Sequence, residues 1–168
     1  KEIKDFYLNK IKPNPKFKLK MLHFFINSGI KDNIYYWNEL SKLLKVYVEL
    51  KRVCPELDSL NIGGGWPFRS SLGFEYDYAY MAEEIPNKIK QPCEEENVSC
   101  PNIFTEFGSF TVAESGAFIF SVLAEKHQND SERWYMIDNS LMTTMPDSWG
   151  INSKFILVPI NKWGNEVQ

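Results

Sequence analysis

The sequence is short of several things, and each shortage excludes a class of function. Its two histidines, His23 and His127, give a histidine-based metal site or a Ser–His–Asp triad little to work with. The three cysteines, Cys54, Cys93 and Cys100, are odd in number and irregular in spacing, which argues against a disulfide framework. No second cysteine pair or histidine stands at zinc-ligand spacing from Cys93 and Cys100, so no metal is expected. Reduced thiols in a cytoplasmic protein are the simple reading. No apolar run reaches the ~18 residues that a membrane span needs. The opening Lys1-Glu2-Ile3-Lys4-Asp5 lacks the apolar core of a signal peptide. Lysines between Lys10 and Lys20 alternate with Pro, Ile and Phe, and the formal charge is only −3. Neither nucleic acid nor a membrane surface is therefore an expected partner.

What is present is ample material for a core: 168 residues, 43% of them apolar and 15% aromatic, enough for one ordinary domain. From Phe17 to Asn27 the chain alternates Phe, Leu and Met with Lys and then turns wholly apolar, as a strand entering a buried parallel sheet does. Over Asp32 to Val53, Ile34, Trp37, Leu40, Leu44, Tyr47 and Leu50 recur at helical spacing, and Cys54-Pro55 ends the helix. A short strand, Ser59 to Ile62, runs into Gly63-Gly64-Gly65. A second helical stretch starts near Phe74 and carries Tyr78, Met81, Ile85 and Ile89, with a kink or break expected at Pro86. Asn102 to Thr105 reads as another short strand that ends at Glu106. This alternation defines an α/β organisation with a parallel sheet. The pattern then changes. Phe118 to Ala124, Trp134 to Ile137 and Phe155 to Ile160 are strand-like, with polar turns at His127 to Arg133 and Pro146 to Ser153 between them. An antiparallel β domain is expected to begin near Ala117, which divides the chain into residues 1–116 and 117–168. So few strands close neither a barrel nor a β domain and would leave edges open, so the sequence reads as an internal portion of a longer protein.

The residues with chemical promise sit where the strands end. Ligands of parallel α/β proteins lie at the C-terminal ends of strands. Gly63-Gly64-Gly65 there exposes backbone N–H groups with no Cβ in the way, a nest suited to phosphate; a flexible turn is the alternative. The dinucleotide fingerprint fails, because Trp66, Pro67, Phe68 and Arg69 follow Gly65. Glu106 would share the face of the glycine loop, and Gly108 and Ser109 could add amides; a satisfied strand-end carboxylate before a turn glycine is the plainer account. Ser28, after the first strand, could donate its hydroxyl to an anion or cap the following helix. Other polar features read as structural. Tyr76, Tyr78 and Tyr80 form a packing face rather than a base-stacking platform, which would need basic residues alongside. His127 is expected in a solvated loop and Glu94 to Glu96 at a solvated helix end, while Asp138 and Asp147 serve turns.

At these residues the sequence resembles a known family. The succession LHFFINSG (22–29), LNIGGG (60–65), FTEFGSF (104–110) and YMIDNSLMTTMPDSWGI (135–151) is similar to the pyridoxal phosphate (PLP) dependent decarboxylases of the alanine-racemase-like fold, fold type III, in their arginine decarboxylase branch. Members have a strand ending in His-x-Gly-Ser, an L-D-x-G-G-G loop, a Glu-x-Gly-Arg stretch and a Ser-x5-P-D-x-W segment. The match runs from about Phe17 to Ile160. It implies the C-terminal part of a (β/α)8 barrel of TIM type followed by the start of an antiparallel β domain. It also implies residue roles: amides of Gly63, Gly64, Gly65, Gly108 and Ser109 on the PLP phosphate, Ser28 hydrogen-bonded to it, Phe25 on the ring, and Glu106 facing the pyridine nitrogen.

Among the departures are Phe25 where the family stacks a His, Ser109 where it has Arg, and Asn27 for Gly. His23 would share the face of Phe25 but lie deeper. In the family the Schiff-base lysine precedes this region and a Cys-Asp element follows it, so this chain alone is not expected to catalyse decarboxylation. The reading that follows is a portion of an amino-acid decarboxylase, arginine first, acting in polyamine biosynthesis as a homo-oligomer of dimeric or higher order. Diaminopimelate or carboxynorspermidine decarboxylase keeps the fold and changes the substrate. A non-catalytic relative that binds partners is the alternative from another class, supported by Phe25 and Ser109.

Overall fold

A computed structural model of the chain describes residues 2–26, 29–30, 32–129, 131–162 and 164. The chain divides into two compact units: Lys1–Phe68 with Tyr76–Ala113, and Arg69–Glu75 with Glu114–Gln168.

The first unit is built on a parallel sheet of β1 (Met21–His23), β2 (Ser59–Asn61) and β3 (Asn102–Phe104), in that order. The register sets Ser59 between Met21 and Asn102, and Asn61 between His23 and Phe104. Helices α2 (Asn33–Lys51) and α3 (Tyr78–Glu95) make the crossovers, as the periodicity predicts. Among the described residues the strand expected over Phe17 to Asn27 pairs only at Met21–His23; Asn27 lies outside them. The N-terminal helix α1 (Glu2–Phe6) and the π-helical turn Tyr7–Ile11 bury only Tyr7, so no apolar period announced them.

Helix α2 starts where Asp32 accepts hydrogen bonds from the Ile34 and Tyr35 amides at 2.8 and 3.4 Å, a side-chain cap over otherwise unpaired N–H groups. Its buried stripe is Tyr36, Leu40, Leu44, Tyr47, Val48 and Leu50. Helix α3 is capped by Asp77 and buries Met81, Ile85, Ile89 and Cys93, one residue per turn. The break expected at Pro86 does not occur: α3 is continuous across both Pro86 and Pro92. Pro86 lies on the exposed side of the helix, where water can satisfy the carbonyl that lost its partner, while the buried stripe stays in phase.

One sheet face lies against these helices, with Leu22, Leu60 and Ile62 joining the stripes of α2 and α3 in a single core. Leu60 is fully buried at the centre of that core. Leu60→Ala is expected to cost about 2–5 kcal/mol of stability, read by chemical denaturation, because the cavity has packed walls on all sides. Cys93 is also fully buried, and burial, with Cys100 beside it, pushes its thiol from 9.0 up to about 12. The uncharged thiol stabilises the fold below its ordinary pKa, and that contribution is lost as pH rises through about 12. Iodoacetamide at about pH 8 should therefore label exposed Cys100 and spare Cys93 until the protein is unfolded, as mass spectrometry would show.

The second unit centres on an antiparallel hairpin, β4 (Val122–Asn129) with β5 (Glu132–Ile137). The strand expected over Phe118 to Ala124 is displaced towards the C-terminus as β4, with no strand at 118–121, and β5 begins two residues before Trp134, so His127 lies in β4, with its Nε2 2.8 Å from Glu125. Asp138 holds the base of the hairpin by accepting from the Ser121 amide at 2.7 Å. Two short helices follow, α5 (Leu141–Thr144), over residues for which no element was expected, and α6 (Pro146–Gly150), where a polar turn was expected. No strand forms over 155–160; Phe155, Leu157, Val158 and Ile160 are exposed, and among the described residues β4 and β5 pair only with each other. Among the described residues no helix is long and apolar enough to cross a membrane, and no group of metal-ligating side chains gathers.

Candidate cofactor site

Three strand ends in the first unit are laced together by their backbones. The Phe24 amide donates to Asn61 O at 3.0 Å, Ile62 to Phe104 O at 3.0 Å, Glu106 to Gly63 O at 2.9 Å, and Ile30 to Gly65 O at 2.8 Å. The glycine loop is wedged between its neighbours so tightly that side chains have no room. A Cβ on Gly63, at φ +69°, would stand 2.6 Å from Phe24 O. One on Gly64 would stand 2.6 Å from Glu106 O, and one on Gly65, at φ +95°, 2.8 Å from the Gly29 Cα. The flexible-turn alternative for this loop is thus displaced by a packed one, in which glycine is required by contact and, at Gly63 and Gly65, also by conformation.

Donors are unevenly spent. The Gly63 amide donates to Asn61 Oδ1 at 2.8 Å, and the Gly108 amide to Glu106 O at 2.9 Å. Among the described residues the Gly64 and Gly65 amides have no acceptor. Ser109 sits in the first turn of α4 (Gly108–Val112), where amides have no intrahelical partner. Ser28 lies outside the described residues.

Beside the loop stands Glu106, its side chain half exposed. Its Oε1 accepts from Asn61 Nδ2 at 2.7 Å and lies 3.7 Å from His23 Nε2. Its Oε2 has no partner among the described residues. Phe25, 60% exposed, alternates with buried Leu22 and Ile26 and so shares the open face of the sheet with His23. Directly after the glycines, Trp66 stacks on Phe107 at 4.4 Å between ring centres and meets Phe110 edge-on at 5.2 Å; its Nε1 is buried without a hydrogen-bond partner. Tyr76 and Tyr78 extend this aromatic cluster, the packing role expected of them. Sequence reasoning passed over Asn61 and Trp66. The signal for Asn61 was available: an Asn two residues before a glycine commonly accepts that residue's amide.

A phosphate with an attached basic ring suits this donor set. Gly64 and Gly65 offer amides that no Cβ shields, Glu106 has one carboxylate oxygen unspent, and Phe25 presents a bare ring face. Such a parallel α/β domain, with unshielded amides and an acid at the strand C-termini, has the layout of a cofactor-binding domain.

Its sequence places it more closely. Residues 6–113 match the family described as pyridoxal-dependent decarboxylase, pyridoxal binding domain, and the chain belongs to that family. The cofactor of such a domain is pyridoxal phosphate. The biosynthetic arginine decarboxylase of Pelobacter propionicus is 33% identical over 124 residues, 66% of this chain and 19% of that protein. That of Citrifermentans bemidjiense is 31% identical over 142 residues, 77% of this chain and 21% of that protein. The chain therefore spans about a fifth of the length of these relatives. Among solved structures, the biosynthetic arginine decarboxylase of Campylobacter jejuni is 26% identical with a TM-score of 0.50 over 54% of this chain and 17% of that one. The lysine decarboxylase of Selenomonas ruminantium shares the fold, with a TM-score of 0.67 over 82% of this chain and 34% of that one at 20% identity.

Proposed function

We propose that this chain is the cofactor-binding part of a PLP-dependent arginine decarboxylase, a carboxy-lyase that converts arginine to agmatine and carbon dioxide in cytoplasmic polyamine biosynthesis. The observation that carries the cofactor half of this reading is the pairing of the unspent Gly64 and Gly65 amides with the unspent Oε2 of Glu106. The substrate half rests on the relatives, which are named biosynthetic arginine decarboxylases. On this reading residues 1–116 are the C-terminal part of a (β/α)8 barrel, and 117–168 begin an antiparallel β domain. The exposed side of the sheet, carrying His23, Phe25 and Phe104, is then the barrel's inner face.

Pyridoxal phosphate supplies an electron sink for the pair released when a carboxylate departs as carbon dioxide. The chain's own residues do the rest of what is proposed here. Gly64 and Gly65 bind the phosphate through N–H groups, Gly63 and Gly108, whose amides are already spent, shape the two loops, and Ser28 and Ser109 stand as further phosphate ligands. Phe25 covers the ring by stacking and contributes no hydrogen bond. Glu106 holds a proton at the ring nitrogen through Oε2, which favours the charged, electron-accepting form.

Assembly into a homo-oligomer, dimeric or higher, is part of this reading, and the many exposed apolar residues of the hairpin are in keeping with it. The test is a spectral titration of the full-length protein with PLP, followed by L-arginine. A bound-cofactor absorbance band with agmatine formed is the expected result. A band with no agmatine moves the substrate elsewhere, to the diaminopimelate or carboxynorspermidine class. No band overturns the enzyme reading in favour of a non-catalytic binding protein.

A further inference from the structure

The side chain of Asn61 touches both halves of the candidate site. Its Oδ1 accepts the Gly63 amide at 2.8 Å, and its Nδ2 donates to Glu106 Oε1 at 2.7 Å. An amide can do both, whereas an ionised carboxylate in its place could accept but not donate. Here the glycine loop and the acid come from different strands, β2 and β3, and Asn61 ties the side chain of one to the turn of the other.

We infer that Asn61 is a positioning residue: it locks Oε1 of Glu106 against the glycine loop, so that Oε2 alone is presented to the ring nitrogen of the cofactor. The inference rests on the cofactor reading above and adds a residue that acts through Glu106. Three observations support it. The donor and acceptor distances are both those of good hydrogen bonds. The two oxygens of Glu106 are used unequally: Oε1 accepts from Asn61 and has His23 Nε2 at 3.7 Å, and Oε2 accepts no hydrogen bond from either. The backbone reinforces the geometry, since Glu106 N donates to Gly63 O at 2.9 Å and fixes the main chain at both ends of the bridge. A carboxylate with one oxygen anchored loses rotamer freedom before the ligand arrives, which is how preorganisation raises discrimination between similar ligands.

Asn61→Ser separates this role from loop support. A serine hydroxyl still accepts an amide two residues on, so the Gly63 turn persists, but it is too short to reach Glu106. Three probes are titrated into the full-length protein by fluorescence: PLP, a deaza analogue with C–H in place of the ring nitrogen, and inorganic phosphate. Wild type should prefer PLP over the deaza analogue by about tenfold, the ratio one charge-assisted hydrogen bond sustains. Asn61→Ser should lower that preference by more than half while changing phosphate affinity by less than about twofold. Glu106→Gln should lower it as far or further, and the double variant should match Glu106→Gln alone, because Asn61 acts through the acid.

An unchanged preference in Asn61→Ser overturns the inference and leaves the cofactor reading standing. So does loss of affinity that is equal for all three probes, which marks mere support of the loop. A double variant whose effects add also overturns it. If wild type binds none of the probes, the cofactor reading fails, and this inference fails with it.

Discussion

Gly63→Ala is expected to lower PLP affinity of the full-length protein by ten- to a hundredfold. Two costs act at once. Alanine at φ +69° sits in the left-handed region, at a strain of order 1–3 kcal/mol. The new Cβ also lands 2.6 Å from Phe24 O, a backbone atom that cannot swing aside as a side-chain tip would. Relief requires the ends of β1 and β2 to part, which breaks the Phe24 to Asn61 hydrogen bond and moves the Gly64 and Gly65 amides away from where a phosphate would meet them. Strain of that size in the bound geometry corresponds to about one to two decades in binding. Gly73→Ala is the control: nothing lies within 4 Å of its Cβ position, and it should bind as wild type does. Affinity for PLP and for inorganic phosphate is measured on both. A Gly63→Ala protein that binds both ligands normally would show that the loop is not the phosphate nest.

Much of this site was legible from the residues because its chemistry is local. A glycine triplet at a strand end, and a carboxylate at the next strand's end, can be placed on one face by counting alone. The helices were legible for a similar reason: each buries an uninterrupted stripe, Tyr36 to Leu50 on α2 and Met81 to Cys93 on α3. What counting could not supply is which contacts are already spent. The Asn61 turn onto the Gly63 amide could have been read from spacing, but the reach of its Nδ2 to Glu106 Oε1 on the next strand depends on the assembled fold. The survival of α3 through Pro86 depends on which side of the helix faces water. The strand expected at 155–160 failed for another reason. Apolar alternation shows that a segment is able to be a strand, whereas an edge to pair with is a property of the assembled fold. The same limit applies to Phe25. The sequence marks it as a departure from the family's histidine, and only exposure shows that its ring is open to a ligand.

Glu106→Gln carries the other large expected effect, this time on turnover. The substitution preserves shape and leaves Asn61 an oxygen to donate to, so the loop and the phosphate nest should persist. What changes is the atom that replaces Oε2. An amide nitrogen there donates and carries no charge, so it cannot hold a proton on a ring nitrogen. Removing one preorganised charge contact of this kind costs on the order of 10²- to 10³-fold in kcat. Arginine KM should move little, because substrate does not touch this acid on the proposed reading, and the cofactor should still be bound at saturating concentration. The measurement is agmatine released per bound cofactor, with kcat and KM determined separately. A fall in kcat with KM nearly constant places Glu106 at the ring nitrogen. A variant within about threefold of wild type would remove it from that role and with it the central chemical claim of the site. A fall in cofactor occupancy alone would instead make Glu106 a support of the glycine loop, since its backbone already holds Gly63.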